Sequence, residues 1–213
     1  MITFDLRLRA LTLLTIGWNI GEVLGCDVLN ARKIVRGDFV IYIPGSSVKG
    51  ALRSAASKIA EAYGFSCCGE INPDRIKESH KGGICDVCRL FGYPGMEFRS
   101  PLIVTDFMAD KVQTVALTRV TINDKTNTAE EHKLYTMEHV LPGVEFKGTI
   151  KLMKKAKDLL PLLLLAIAEL RTGRFGRRSV VDAKIEGEID VDPEWKQLVN
   201  ELKTWLWVDA VCY

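Results

Sequence analysis

The sequence has almost no net charge and no long apolar run. Its 213 residues include 29 Lys and Arg against 27 Asp and Glu, which leaves a formal net charge of +2. A chain so close to neutral does not coat nucleic acid by bulk charge, so an RNA or DNA site has to be a local basic patch. The longest apolar stretch, residues 159–168, has half of the ~20 residues that span a bilayer and contains Pro161. It predicts a buried helix and no membrane partner.

Histidine is scarce, and a close pair of carboxylates is missing. The three histidines, at positions 80, 132 and 139, offer few candidates for a histidine-based mechanism. The lack of paired carboxylates argues against a two-metal nuclease. At the N-terminus, Phe4, Leu6 and Leu8 alternate with charged residues, which is typical of a half-buried strand and not of a secretion signal. We therefore expect a cytoplasmic protein whose cysteines are thiols or metal ligands rather than a disulfide frame.

The composition predicts one folded domain over residues 1–213, because apolar residues make up 47% and charged residues 26%. Alternation and apolar runs predict strands at about 3–16, 39–43, 102–106, 144–152 and 179–190. Helical spacing predicts helices from Ser46 or Ser47 onward, over 157–171 and over 193–207. This order favours an α+β fold with a ferredoxin-like (RRM-like) core. Two strand-like arms around the polar residues 123–128 predict a protruding hairpin over about 113–141.

A cysteine-rich insertion over residues 64–100 carries a candidate metal site. Its potential ligands are Cys67, Cys68, His80, Cys85 and Cys88. The Cys85-x-x-Cys88 spacing lets one tight turn direct two thiolates at one tetrahedral metal ion. We expect His80 and one member of the adjacent pair to complete a structural zinc site. A disulfide or free thiols are the alternative, while the isolated Cys26 and Cys212 are expected to be packed side chains.

Residues 43–50 join a strand to a helix and could bind a phosphate. Helix-start amides, the hydroxyls of Ser46 and Ser47, and the charges of Lys49 and Arg53 together suit an anion. The segment is not a Walker P-loop, because the order Val48-Lys49-Gly50 departs from that motif. The alternative is an ordinary capped helix with a solvated lysine.

Residues 171–178 are the strongest local case for nucleic-acid binding. Four of these eight residues are arginines, whose planar fork suits phosphate, and the glycines allow close approach of a ligand to the backbone. Phe175 could stack on a base. The alternative is a solvated helix end whose arginines complement the helix dipole. Three acidic residues, Glu22, Asp27 and Asp38, lie in or near the irregular stretch after the first strand. The pattern alone assigns them to turns or the surface.

Taken together, these segments resemble the RAMP superfamily of CRISPR proteins. Residues 43–53 resemble its strand-to-helix signature, and Cys85-x-x-Cys88 followed by Leu90-Phe91-Gly92 resembles its cysteine-then-Leu-Phe-Gly element. Residues 119–146 are similar to its thumb hairpin and the following strand. Residues 173–177 fall where the family has its C-terminal glycine-rich loop. The size and the zinc-like insertion are similar to backbone subunits of type III interference complexes, of Csm type or else of Cmr type.

The resemblance implies a function within a ribonucleoprotein complex. Several copies would stack along a CRISPR RNA beside other subunits and the target RNA, with the helix-start turn and the glycine loop on the RNA backbone. The residues expected to contact RNA are Ser46, Ser47, Lys49, Arg53, Arg119, Arg174, Phe175, Arg177 and Arg178. The resemblance also implies an endoribonuclease activity, in which a loop aspartate and Mg²⁺ or another divalent cation cleave the target RNA at regular intervals.

Asp27 lies where that aspartate is expected. Two alternatives stay open at this stage. Instead of an RNA-cleaving subunit, the chain would be a non-catalytic RNA-binding scaffold of the same complexes or a zinc-stabilised protein outside CRISPR systems.

Overall fold

The computed structural model describes residues 1–18, 26–70, 72–96, 99–123 and 125–208. Glu22 and Cys212, singled out above, lie outside the described residues. Within the described part the strands are β1 (Ile2–Ala10), β2 (Gly17–Trp18), β3 (Leu29–Asn30), β4 (Arg32–Val35), β5 (Asp38–Ile43), β6 (Leu102–Val104), β7 (Phe107–Met108), β8 (Thr114–Asn123), β9 (Thr128–Val140), β10 (Glu145–Leu152) and β11 (Val181–Glu186). The α-helices are α1 (Gly45–Ile59), α2 (Pro73–Ser79), α3 (Asp86–Phe91), α4 (Leu160–Leu170) and α5 (Lys196–Leu202).

One antiparallel sheet organises the chain. Its strand order is β11-β1-β10-β7-β5-β4, with β6 paired to the other end of β10. Strand β1 lies between β11 and β10, and its alternating residues Phe4, Leu6 and Leu8 are buried as the sequence pattern predicts. Helices α1 and α4 pack against each other, and α4 is buried along most of its length. The protein is therefore a mixed α+β fold, and none of its described helices is long and apolar enough to cross a bilayer.

The first strand is shorter than predicted. Strand β1 ends at Ala10, because the chain then leaves the large sheet and runs to the base of the β8–β9 hairpin. There, Leu14 N–H donates to Val140 O at 2.9 Å, and Val140 N–H donates back to Leu14 O at 2.7 Å. The segment from Leu11 to Ile16 is largely buried, so its apolar residues are used in a different place from the one that the alternation predicted.

The start of α1 also differs from the prediction. Neither Ser46 nor Ser47 caps the helix, which begins at Gly45 after Pro44. Instead, Gly45 N–H donates to Asp106 Oδ1 at 3.0 Å. This hydrogen bond holds the pKa of Asp106 below its usual value, although partial burial acts in the opposite direction. The carboxylate thus occupies the helix start where the sequence suggested a phosphate.

The last helix ends early because a buried arginine donates hydrogen bonds to the backbone carbonyl groups at its end. Arg171, which is 5% exposed, donates to the carbonyl oxygens of Glu201, Leu202 and Thr204. The chain therefore leaves the helical path after Leu202, whereas the sequence predicted a helix to residue 207. Arg171 belongs to the interior, unlike the three arginines that follow it.

The β8–β9 hairpin projects from this body. Its register runs from Thr114 opposite Val140 to Asn123 opposite Thr128. Near the body, residues 137–140 are buried, whereas the described residues of the outer half are largely exposed. The hairpin is therefore anchored at its base and free of the body along its outer length.

Candidate metal centre and arginine-lined grooves

Three cysteines and one histidine of the insertion converge on one point. The candidate ligand atoms of Cys68, His80, Cys85 and Cys88 all lie within 4.8 Å of one another. The Sγ atoms of Cys68 and Cys88 are 3.7 Å apart, and His80 Nε2 lies 3.4 Å from Cys85 Sγ. A tetrahedral zinc ion with Zn–S bonds near 2.3 Å places neighbouring sulfurs ~3.8 Å apart. The donor set and its spacing therefore fit a metal ion such as zinc.

Short backbone turns direct the thiols toward this point. Cys85 immediately precedes α3, and its Sγ accepts a hydrogen bond from Cys88 N–H at 3.5 Å. The backbone N–H of Glu70 donates to Cys68 in the same way. Such bonds favour the thiolate, the form that binds metal. In the metal-free chain, burial raises the pKa of Cys88 to about 12, so a bound cation would be needed to keep this sulfur ionised near neutral pH.

Of the adjacent pair, Cys68 joins the cluster and Cys67 does not. Cys67 Sγ instead accepts a hydrogen bond from Gly69 N–H at 3.4 Å. The cysteines of the described chain are free, and 3.7 Å between sulfurs far exceeds a disulfide bond of about 2.05 Å. His80 Nδ1 is buried without a hydrogen-bond partner in the described residues. Because Nε2 is the ring nitrogen beside Cys85 Sγ, it is the one placed to ligate a metal, and Nδ1 is left for an outer hydrogen-bond acceptor.

The glycine-rich loop that follows α4 is fixed against the segment that follows β1. Gly176 has a φ of +59°, and a Cβ at this position would lie 2.6 Å from Thr15 O. The next residue, Arg177, donates its backbone N–H to Thr15 O at 3.1 Å. Its guanidinium then passes beside Gly17, where a Cβ would lie 3.1 Å from Nε. Glycine is therefore required at position 176 for both backbone conformation and space.

Two grooves meet at this loop. One, with a volume of about 370 Å³, lies between the loop and α1, and its polar lining includes Ser47, Ser54, Arg174 and Arg177. The other, of about 860 Å³, lies at the base of the hairpin. Its lining residues are Leu11, Thr12, Leu13, Gln113, Arg119, His139, Leu141, Pro142, Arg177 and Arg178. Arg177 lines both grooves and connects them.

Four arginines of these grooves are exposed and unpaired. Arg119, Arg174, Arg177 and Arg178 form no ion pair with any residue in the described part of the chain. Arg178 also has a left-handed backbone with a φ of +62°, a conformation that costs a non-glycine residue ~1 kcal/mol. Unpaired guanidinium groups along a connected groove offer bidentate sites for phosphate. Because the chain is close to neutral, a nucleic-acid site would need a local basic patch, and these four arginines form one.

Two predicted phosphate ligands point into the protein instead. Lys49 Nζ donates to Ser100 Oγ and Leu102 O, each at 2.9 Å, and burial followed by the charge of Arg53 lowers its pKa. Arg53 donates to Gly92 O and to Cys88 Sγ, the latter at 3.0 Å. Both side chains thus join α1 to the insertion and its return strand. Of the two serines, Ser47 lines a groove, while Ser46 is exposed outside it.

Phe175 does not have the role expected from the sequence. Its side chain is 2% exposed and belongs to the hydrophobic core. The backbone of Phe175 bridges to Ser179 through hydrogen bonds of 2.8 and 3.1 Å, which closes the loop on itself. An aromatic ring buried in this way cannot stack on a base. The neighbouring arginines alone carry the ligand-facing chemistry of this loop.

Asp27 is exposed at the edge of the hairpin base. Its backbone N–H donates to Thr136 O at 2.9 Å, and its Oδ2 accepts from Thr136 N–H at 2.6 Å. Oδ1 has no hydrogen-bond partner among the described residues and is available to a ligand. Asp38, at the start of β5, is also exposed. The segment around Asp27 is thus held in place while one carboxylate oxygen stays open.

A buried polar network that the sequence did not reveal supports this segment. Glu138 accepts from Asn30 N–H at 3.0 Å and from Arg32 Nη2 at 2.6 Å. Thr15 Oγ1 donates to Glu138 O and accepts from His139 Nδ1, each at 2.7 Å. The residues that bond to one another in this network are more than 100 positions apart in the chain, so no local spacing in the sequence indicates the network. The only sequence cue is the unusual pair of polar residues at the inner end of β9.

A family comparison gives the same assignment as the residue patterns. The family model of the RAMP superfamily matches residues 7–181. The chain belongs to the RAMP superfamily. Its proteins are generally CRISPR-associated and bind RNA, and the match spans the cysteine cluster, the hairpin and both grooves. No curated protein sequence matches this RAMP chain closely enough to count as a relative.

Cys68→Ala is expected to remove a bound metal, whereas Cys67→Ala, a matched change one residue away, is expected to retain it. Of these two adjacent cysteines, only Cys68 contributes its sulfur to the four-ligand cluster. We expect stoichiometric zinc in the wild-type chain and in Cys67→Ala, and near-complete loss together with a lower melting temperature in Cys68→Ala. Metal analysis of the purified proteins and thermal unfolding check this. Equal zinc in the two variants would contradict the assignment.

Proposed function

We propose that the chain is a CRISPR RNA-binding backbone subunit of a type III effector complex, of Csm type or else of Cmr type. The observation that supports this best is the connected, arginine-lined surface built from three distant parts of the chain. These parts are residues 15–17, the loop over 173–178 and the hairpin base. In this proposal the surface binds the RNA backbone, and further copies of the chain continue it along the guide.

The strand order is compatible with a ferredoxin-like (RRM-like) core for this subunit. In that proposal the four core strands are β1, the β6–β7 segment, β10 and β11, which lie side by side in the order β11-β1-β10-β7. Helices α1 and α4 supply the two crossovers and pack on each other. The cysteine insertion and the hairpin then extend from connections of this core, which leaves its strand pairing intact.

The outer hairpin has the properties of a wedge between bases. Ile122 is 59% exposed and Leu134 is 67% exposed, and Val120, opposite Leu134, is also exposed. Apolar side chains on a protruding ribbon cost free energy in water unless a partner covers them. Bases separated from their stack offer apolar faces of suitable chemistry. We therefore assign the hairpin to separating bases of the guide–target duplex.

We further propose that Asp27 cleaves the target RNA with a divalent cation. The open Oδ1 would hold the cation, whose contribution would be to neutralise phosphate charge. In the reaction, a ribose 2′-hydroxyl gives its proton to water as its oxygen bonds to the adjacent phosphorus. The bond from phosphorus to the 5′-oxygen breaks, which leaves a 2′,3′-cyclic phosphate, and the released 5′-oxygen takes up a proton from water to become a hydroxyl. The protein contributes mainly by positioning the RNA. The hairpin kinks the RNA beside Asp27, and the arginines hold the flanking phosphates.

Asp27→Asn is expected to lower the cleavage rate of target RNA in the assembled complex by at least about 100-fold and to leave guide binding within about two-fold. The amide keeps the hydrogen bond from Thr136 but loses the charge that would hold a cation. Asp38→Asn, an exposed aspartate outside the hairpin contact, serves as the control. If Asp27→Asn cleaves at the wild-type rate, the non-catalytic scaffold is the better description.

Arg177→Gln is expected to weaken binding of single-stranded RNA and to make the slope of log K against log salt concentration shallower by about 0.7, the value for one phosphate no longer neutralised. Arg177 lines both grooves and has no carboxylate partner in the described chain. Arg75→Gln changes an exposed arginine on α2 outside the grooves and is expected to bind like the wild type. Fluorescence titration at several salt concentrations checks this. An unchanged slope for Arg177→Gln would exclude its phosphate contact.

A further inference from the structure

Two cations on one face of α1 reach into the metal-bearing insertion. Lys49 and Arg53 are one helical turn apart. Arg53 donates to Cys88 Sγ in α3 and to Gly92 O just after it, and Lys49 donates to Ser100 Oγ at the end of the insertion. Neither is paired with a carboxylate in the described residues. An unpaired, partly buried guanidinium needs strong acceptors, and the acceptors that Arg53 reaches are Gly92 O and Cys88 Sγ.

The contact places Arg53 beside a sulfur that water does not reach. Cys88 is 0% exposed, and Arg53 Nη2 lies 3.0 Å from its Sγ. The same guanidinium binds the carbonyl group of Gly92, which ends α3. A cation at this end complements the orphan carbonyl groups of the helix. One planar fork thus fixes both the helix that carries Cys88 and the direction of its sulfur.

The charges of a filled site call for such a neighbour. Three thiolates, a neutral imidazole and a divalent cation sum to −1, and isolated charge in a buried site is costly. Hydrogen bonds from outer groups to metal ligands orient those ligands and tune metal affinity. We propose that Arg53 is a positioning residue of the metal centre, which neutralises the excess charge of the Cys68, His80, Cys85 and Cys88 site through its bond to Cys88. The inference rests on the fit of these four ligands to a metal and is independent of RNA binding.

The test compares three variants of the full chain. Arg53→Gln removes the charge, Arg53→Lys keeps the charge but loses the two-pronged geometry, and Arg89→Gln is the control. Arg89 lies on α3 next to Cys88, pairs with Asp86 at 3.5 Å and with Asp158, and is not bonded to a cluster sulfur. Zinc affinity is measured by competition with a chelator. Cobalt(II) is then added to the metal-free proteins, and its thiolate charge-transfer and d–d absorption bands report the ligand geometry.

We expect Arg53→Gln to bind zinc about 10- to 100-fold more weakly than the wild type and to shift the cobalt bands. Arg53→Lys is expected to lie between the two, and Arg89→Gln to match the wild type. A role limited to packing α1 on α3 would lower the melting temperature but leave the cobalt bands of the folded protein unchanged.

Wild-type zinc affinity and cobalt bands in Arg53→Gln would overturn the proposal. If Arg53→Gln does not fold, Arg53→Lys decides, and wild-type values for it would overturn the proposal as well. A wild-type chain that binds neither metal would overturn it together with the metal site. A wild-type chain that binds zinc but no RNA would instead count against the proposed function alone.

Discussion

The buried backbone of residues 14–16 is the constraint on which the candidate RNA surface depends. Leu14 pairs with Val140 at the hairpin base, and Thr15 O accepts the backbone N–H of Arg177. Ile16 N–H donates to Asn30 Oδ1 at 2.9 Å. This single stretch therefore holds the hairpin, the glycine loop and the segment of Asp27 in one arrangement. The segment of Asp27 also bonds directly to the hairpin at Thr136, whereas the glycine loop is tied to the buried stretch through Thr15 O.

Helix α1 divides two tasks between its faces. Ser47, Ala51 and Ser54 follow helical spacing and line the groove beside the arginine loop. Lys49 and Arg53 lie on another face and bind the insertion. The candidate metal centre and the groove proposed to bind RNA are thus built on opposite sides of one helix. A metal-stabilised insertion would hold this helix in place, so under the proposed function the cysteine cluster would support RNA binding without contact to RNA.

Local patterns in the sequence predicted the features that depend on neighbouring residues. The alternation of β1 predicted its buried face, and the Cys85-x-x-Cys88 spacing predicted two members of the cluster that could hold a metal ion. Features that depend on distant partners were not predictable. Asp106, 61 positions from Gly45, accepts the hydrogen bond at the helix start where a serine cap was expected. Arg53 bonds to Cys88 and Gly92 and is therefore not available for the phosphate contact that its position suggested. Phe175 looked like a stacking residue because nothing local shows that the core encloses it.

Sequencing of the RNA that co-purifies with the tagged chain from its native host tests the central claim most directly. We expect short RNAs that join one repeat-derived tag to many different spacers. We also expect that changing Arg174 and Arg177 together to glutamine releases these RNAs while the zinc content stays the same. Purified wild-type chain that carries no RNA, or only random fragments, would contradict the assignment of the arginine-lined surface to a CRISPR guide.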